Sequence, residues 1–336
     1  MIILGIESSC DETAAAVVEV KNKKVTIKSN IVLSQINIHK KFGGVVPEVA
    51  ARKHTENILP VIDQALKKAK IKINQIDRIA VTRGPGLVTS LLVGVEAAKT
   101  LGYIHKIPVV GVNHLEGHIL AGTIHGAPVK YPSLALIASG GHTELVIIKG
   151  IGKYKKIGQT LDDAAGECFD KIAKILNLGY PGGPVVSNKA ASGDPTKFTL
   201  PSPMIDRPNF DFSFSGLKTA VLYYVHKNGK PKGKRLNDFC ATAQKAIVDV
   251  LIKKTIIAAE KYKVKSIIVG GGVTANARLR NELKKEIKGK KFKLAVSPIE
   301  YCGDNAVMIA LAGYYAKANK DGWKNIRVNP NLEIGT

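Results

Sequence analysis

The chain repeats one plan. From Ile2 it reads as a strand, IILGIE, a tight polar turn, SSCDET, and a second strand, AAAVVEV; from Ser133 the same order returns as SLALIA, SGGHT and ELVIIK. Short apolar runs bounded by small polar residues are strand signals, and a brief turn between two of them makes a hairpin. Each hairpin is followed by alternating strand and helix patterns. In the first half these are IDRIAVT, LVTSLLVGVEAAKTLGYI and PVVGVN, and in the second KSIIVG, TANARLRNELKKEI and KLAVS. The repetition predicts two α/β lobes, residues 1–130 and 131–336, each with its own apolar core. With 336 residues, 45% of them hydrophobic, the chain is long enough to bury both.

The hairpin turns are built from small residues, which let backbone N–H groups approach anionic oxygens closely. A third glycine run, VGGGVTANARLR at 269–280, joins an apolar strand to a helix pattern whose N-terminus favours negative charge. One glycine turn is commonplace; three in related places of a duplicated plan point to a phosphate-bearing ligand. The plan is similar to that of the actin, Hsp70 and sugar-kinase class, which holds nucleotide in a cleft between two lobes.

GVNHLEGHIL at 111–120 carries two histidines four apart. On a helix His114 and His118 share one face a turn apart, near enough for both rings to reach one ion. Glu116 lies about 200° around the helix from His114, so this is not the H-E-x-x-H arrangement of zinc proteases. A pair is half a site. From spacing alone the two histidines are either metal ligands awaiting a third donor or packing residues of a core helix.

With 50 Lys+Arg against 27 Asp+Glu, the formal charge is +23. Such a balance suits a polyanionic partner, and a lysine-rich source or adaptation to heat would produce it too. The lysines cluster in KYKK at 153–156, HKNGKPKGKR at 226–235 and KKEIKGKKFK at 284–293. Cys10, Cys168, Cys240 and Cys302 are scattered without a C-x-x-C pair, against both a disulfide framework and a thiolate zinc knot. The first apolar run, IILGI, is too short for a leader or a membrane span, and the chain reads as cytoplasmic.

GIESSCDET (5–13), NHLEGH (113–118), SGGHTEL (139–145), DDAAGECFDK (162–171), YPGGP (180–184), FSFSGLKTA (212–220), GGGVTAN (270–276) and CGDNAVMIA (302–310) together resemble the TsaD/Kae/Gcp family of tRNA N6-threonylcarbamoyladenosine transferases. The resemblance runs from the first strand to the last helix. It implies a metal, iron(II) or zinc, held between the lobes by His114, His118 and Asp304, the last from the (C/T)-x-D-N motif. It implies substrate contacts at Ile137, Ala138, Ser139, Gly140, Gly141, Asp170, Gly183 and Asn276. Archaeal and eukaryotic relatives can place a tyrosine where Ile137 stands, so the chain is similar to the bacterial branch. There a TsaB-like pseudo-homologue and a small TsaE-like ATPase are the implied partners, and in the helix pattern PEVAARKHTENILPVIDQALKKA the residues Val49, Ile58, Val61 and Leu66 are either a docking stripe or ordinary packing inside the lobe.

The implied reaction moves a threonylcarbamoyl group from L-threonylcarbamoyl-AMP to N6 of adenosine 37, 3′ of the anticodon, in tRNAs reading codons that begin with A. It requires charge stabilisation, an oriented amine and a proton acceptor. Asp11 and Glu12 are the acids in the first turn, with Asp11 the first choice, either as proton acceptor or as a residue that positions water or threonine atoms. A metalloprotease is disfavoured by the off-register Glu116, and a kinase-like ATPase by imidazoles in place of carboxylates around magnesium. A non-catalytic scaffold would tolerate loss of Asp11 or Asp304.

Overall fold

The computed structural model describes residues 1–124, 129–318 and 322–335. Two five-stranded sheets form its frame, with strands β1 Ile2–Glu7, β2 Glu12–Lys21, β3 Lys24–Ser34, β4 Arg78–Gly84 and β5 Val109–Asn113 in the first. The second holds β6 Ser133–Ala138, β7 Thr143–Gly150, β8 Lys153–Gln159, β9 Ser266–Gly270 and β10 Lys293–Val296. Their orders are β3-β2-β1-β4-β5 and, read in the same sense, β8-β7-β6-β9-β10. In each the hairpin is antiparallel and two later strands add in parallel beside its first strand. The duplication expected from the sequence is therefore present strand for strand.

The first unit layers helices on both faces of its sheet. Alternate residues of a strand point to opposite faces. Leu4 and Ile6 of β1 join a core with Ile58, Val61 and Ile62 of the helix Pro47–Ala69 and Val95 and Ala98 of the helix Val88–His105. Gly5, between them, faces the other way, where a Cβ would run into the Ala306 carbonyl of the helix Ala306–Tyr315. Gly117 lets the helix His114–Ala121 close on Met308 in the same manner, and Gly313 sets that last helix against Ala80 of β4.

These contacts correct two expectations. The compact units are Met1–Ala121 with Gly303–Thr336, and Gly122–Cys302, rather than 1–130 and 131–336. The reason is the apolar helix Ala306–Tyr315, most of it buried, which finds its close-packed seat on the glycine face of β1. The docking stripe also fails: Ile58 and Val61 are core, Val49 and Leu66 are half-buried, and it is Leu59 of that helix that stands 60% exposed.

In the second unit Leu134, Leu136 and Ala138 of β6 and Leu145 and Ile147 of β7 pack on the helices Ala165–Leu176 and Gly233–Lys261. No helix among the described residues is long and apolar enough to cross a membrane.

Candidate metal centre and glycine turns

β5 runs directly into the helix that carries both histidines. Asn113 closes the strand, and its Oδ1 accepts from the backbone N–H groups of Leu115 (2.8 Å) and Glu116 (3.3 Å), so the helix starts at His114. His114 and His118 then lie one turn apart and meet edge to face, with ring centroids 4.7 Å apart. Asp304 lies just before the helix Ala306–Tyr315, which Asn305 caps by accepting from Met308 N. One oxygen of Asp304 sits 3.4 Å from His114 Nε2 and 3.2 Å from His118 Nε2. The sequence reading drew Asp304 from the second lobe; residues from Gly303 onward belong to the first unit, so all three donors come from one compact body.

The three donor atoms lie within 4.8 Å of one another. Although His118 Nε2 is close to Asp304, it makes no hydrogen bond of acceptable geometry, and both its ring nitrogens are buried without a protein partner. Buried polar atoms are almost always satisfied, so an imidazole left bare beside a carboxylate suits a ligand that is itself a cation. The residues present fit a divalent metal.

Beneath this set lies Glu7, the only acid of β1 and wholly buried. Its Oε2 is 2.9 Å from His114 Nδ1 and accepts from Thr82 Oγ1 at 2.7 Å, while Oε1 accepts from Ser9 N at 2.6 Å. The sequence reading did not single out Glu7; a lone carboxylate in the apolar run IILGIE was the signal available. Burial would raise the Glu7 carboxyl, but His114 outweighs it and holds it below the ordinary value. Burial likewise opposes the charge on His114, yet Asp304 and Glu7 keep that ring well above the usual histidine range. Burial pushes His118 down, and the partial compensation by Asp304 does not restore it. Asp304, against its own burial, is held well below the carboxylate range by the two rings.

The turn SSCDET borders the same centre. Burial, followed by the charges of Asp304 and Asp11, raises the Glu12 carboxyl well above normal, and its Oε1 accepts from Ser34 Oγ at 3.1 Å. Glu12 therefore holds a proton more tightly than an ordinary carboxylate does. Asp11 is 7% exposed. Burial and the neighbouring carboxylates push the Cys10 thiol up as well, which leaves it a poor nucleophile. His54 ties this turn to the helix Pro47–Ala69, with Nδ1 2.7 Å from Thr13 Oγ1 and Nε2 2.9 Å from the Cys10 carbonyl.

The other predicted residues lie in the second unit. Ile137 and Ala138 end β6, fully buried, and Ser139, Gly140 and Gly141 turn the chain into β7. Ser139 N donates to His142 O, and Ser139 Oγ accepts from His142 N. Two glycines press on this turn from outside. Gly166 would put a Cβ 2.6 Å from Ser139 O, and Gly271, at φ +95°, would put one against Ala138 O. A Cβ on Gly140, Gly141 or Gly183 would meet nothing within 4 Å. Asp170 Oδ1 accepts from Gly182 N at 2.6 Å, locking the helix Ala165–Leu176 to the helix Gly182–Ala190. Asn276 caps the helix Ala277–Glu286 through Leu279 N and donates to Gln244 Oε1 at 2.7 Å.

The acids of DDAAGECFDK fasten the same unit. Asp162 accepts from Ser213 Oγ and Phe214 N, and Asp163 is flanked by Lys171 (2.6 Å) and Lys218 (3.1 Å).

The chain is similar to known proteins over nearly all of its length. The TsaD family profile, described as tRNA N6-adenosine threonylcarbamoyltransferase, matches residues 26–311. A tRNA N6-adenosine threonylcarbamoyltransferase of Geotalea daltonii is 51% identical over 95% of this chain and 93% of its own length. One from Thermosipho africanus is 48% identical over 99% of this chain and all of its own. Among solved structures, component A of the (R)-2-hydroxyglutaryl-CoA dehydratase of Acidaminococcus fermentans superposes with a TM-score of 0.54 at 18% identity, covering 94% of this chain and 98% of that one, a likeness of fold in the actin-like class. By its near full-length similarity, the chain belongs to the TsaD family of tRNA N6-adenosine threonylcarbamoyltransferases.

Proposed function

We propose that the chain transfers the threonylcarbamoyl group of L-threonylcarbamoyl-AMP to N6 of adenosine 37 in tRNAs that read codons beginning with A. The observation that carries the reading is the buried convergence of His114, His118 and Asp304, in a chain about half identical to curated transferases of this name. His114 Nε2, His118 Nε2 and Asp304 Oδ1 are the donors that would hold an iron(II) or zinc ion. Such an ion supplies Lewis-acid stabilisation of negative charge on an oxygen of the acyl donor.

The chain's own groups do the rest. Gly140 and Gly141, open above their backbone, admit the phosphate or carbonyl oxygens of the donor to close N–H approach. Asp170 is suited to accept from ribose hydroxyls, Gly183 allows close backbone approach, and Asn276 would meet the base by giving up the long contact of its Nδ2 with Ser187 Oγ, 3.5 Å. The N6 amine attacks the carbamoyl carbon, its proton passes to Asp11, and the bond to the AMP phosphate oxygen breaks. Glu12, whose carboxyl is raised by burial and by the charges of Asp304 and Asp11, borders the same turn as the second acid. The adenosine has to leave the anticodon stack to present N6, which a basic protein surface assists by holding the phosphates.

A TsaB-like pseudo-homologue and a TsaE-like ATPase complete the multi-turnover system, which works in the cytoplasm. Incubating the purified chain with L-threonylcarbamoyl-AMP and unmodified tRNA, with and without those partners, tests the proposal by nucleoside mass spectrometry. Absence of threonylcarbamoyladenosine under every combination would refute it.

A further inference from the structure

The two largest lysine clusters are not equivalent in the folded chain. Within 284–293, Lys285 is paired with Glu282 and Lys290 with Glu260, and Glu286 lies among the four lysines that remain. The segment from Phe212 to Asn237 contains no acid at all, and it carries Lys218, His226, Lys227, Lys230, Lys232, Lys234 and Arg235. Lys218 is spent on Asp163. Lys227, Lys230, Lys232 and Lys234 are exposed and form no ion pair among the described residues.

These four cations adjoin an apolar surface that the fold leaves uncovered. On the helix Ser215–Asn228, Leu222 is 53% and Tyr223 70% exposed. Tyr223 and Lys227 are four residues apart, hence on one face a turn from each other, as are Leu222 and His226. Arg235 holds the following segment against this helix: its Nη2 donates to Tyr224 Oη at 3.1 Å, and its guanidinium lies 5.5 Å from the Phe198 ring centroid. The lysines therefore stand on an anchored turn beside an exposed aromatic ring. Phosphate-tracking cations next to an aromatic platform are the combination that binds RNA without reading its sequence.

We propose that the Tyr223–Lys234 face is a tRNA-binding surface in which Lys227, Lys230, Lys232 and Lys234 contact phosphates and Tyr223 stacks on an unpaired base. The proposal rests on the reading of tRNA as substrate. Charge complementarity favours a polyphosphate over an acidic protein surface, because the four lysines span a glycine-bearing turn that can follow a backbone rather than present one fixed array.

The test is fluorescence anisotropy of unmodified tRNA binding to the full chain across a range of salt concentrations. A variant with Lys227→Gln, Lys230→Gln, Lys232→Gln and Lys234→Gln is expected to bind more weakly, with a log–log salt slope flatter by about two to four units, since each phosphate contact contributes about 0.7–0.9. Lys285→Gln with Lys290→Gln, two lysines already paired with acids, should change the slope by less than about one unit. Tyr223→Ala should weaken binding about 5- to 100-fold with no change of slope, and Tyr223→Phe should restore it. All these side chains except Lys290 are exposed, and a thermal melt confirms folding. An unchanged slope in the fourfold variant, or an equal change in the control, overturns the proposal. So does a fourfold variant that binds tRNA normally but loses salt-sensitive association with a protein partner. Transfer by the parent chain is measured in parallel, so that failure of the catalytic reading is seen separately from failure of this surface.

Discussion

Glu7 Oε2 lies 2.9 Å from Nδ1 of His114, at the opposite edge of the ring from the nitrogen that meets Asp304. A carboxylate accepting the Nδ1 proton fixes the orientation of the imidazole, so that Nε2, on giving up its own proton, presents its lone pair to an ion. Thr82 and the Ser9 backbone hold Glu7 in turn.

Glu7→Gln is therefore expected to weaken metal binding about 10- to 100-fold, measured by competition with a chromophoric chelator. The amide can turn an N–H toward Nδ1 and reverse the tautomer. Unaltered affinity in a folded variant would show that Glu7 serves packing alone.

Replacing His114 and His118 together by alanine should abolish bound metal in elemental analysis, and Asp304→Ala should reduce it strongly. Equal metal content in parent and double variant would remove these residues from the role of ligands. Chelation of the parent should lower its melting temperature, because a ligand bound only by the folded chain stabilises it by mass action.

The glycines of the second unit divide into two kinds. Gly271→Ala combines a left-handed φ of +95° with a Cβ against Ala138 O, so stability should fall by about 1–3 kcal/mol or more in denaturant titration. Gly140→Ala meets open space and should leave stability within about 0.5 kcal/mol. On the proposed function its effect appears instead as a raised KM for the acyl donor. Equal destabilisation by both would contradict the geometry.

His54 supplies a pH signature. Burial pushes this ring below its ordinary value, against the Cys10 hydrogen bond and the charges of Glu7 and Asp11, with His39 adding to the fall. Between the lowered folded value and the unfolded value near ~6.5, the unfolded chain binds more protons. Stability from this group is complete above about pH 6.5 and drains away as pH falls through the folded value. His54→Gln should consequently flatten the loss of melting temperature between pH 7 and 5. An acid limb as steep as the parent's would assign the loss to other groups.

Several elements are legible in the residues themselves. The strand pairs of both hairpins, the helical spacing of His114 and His118, and the capping roles of Asn276 and Asn305 follow from local alternation, turn chemistry and backbone donors a few residues away. Such interactions are short in sequence, so composition and period encode them directly. The homologous motifs carried the family, and with it the proposal of Asp304 as third donor, further than spacing alone would reach.

Long-range packing decided the remainder. That residues 303–336 return to the first sheet depends on Gly5, Gly117 and Gly313 being bare where the helix Ala306–Tyr315 lands, a complementarity spread over some three hundred residues. That Glu7 stands under His114, that Ile58 and Val61 are core rather than a docking stripe, and that Lys290 is neutralised by Glu260 while Lys230 is not, are likewise outcomes of which surfaces meet. Local sequence sets what each segment prefers to be. Burial and the pairing of charges depend on neighbours the chain supplies only once it has folded.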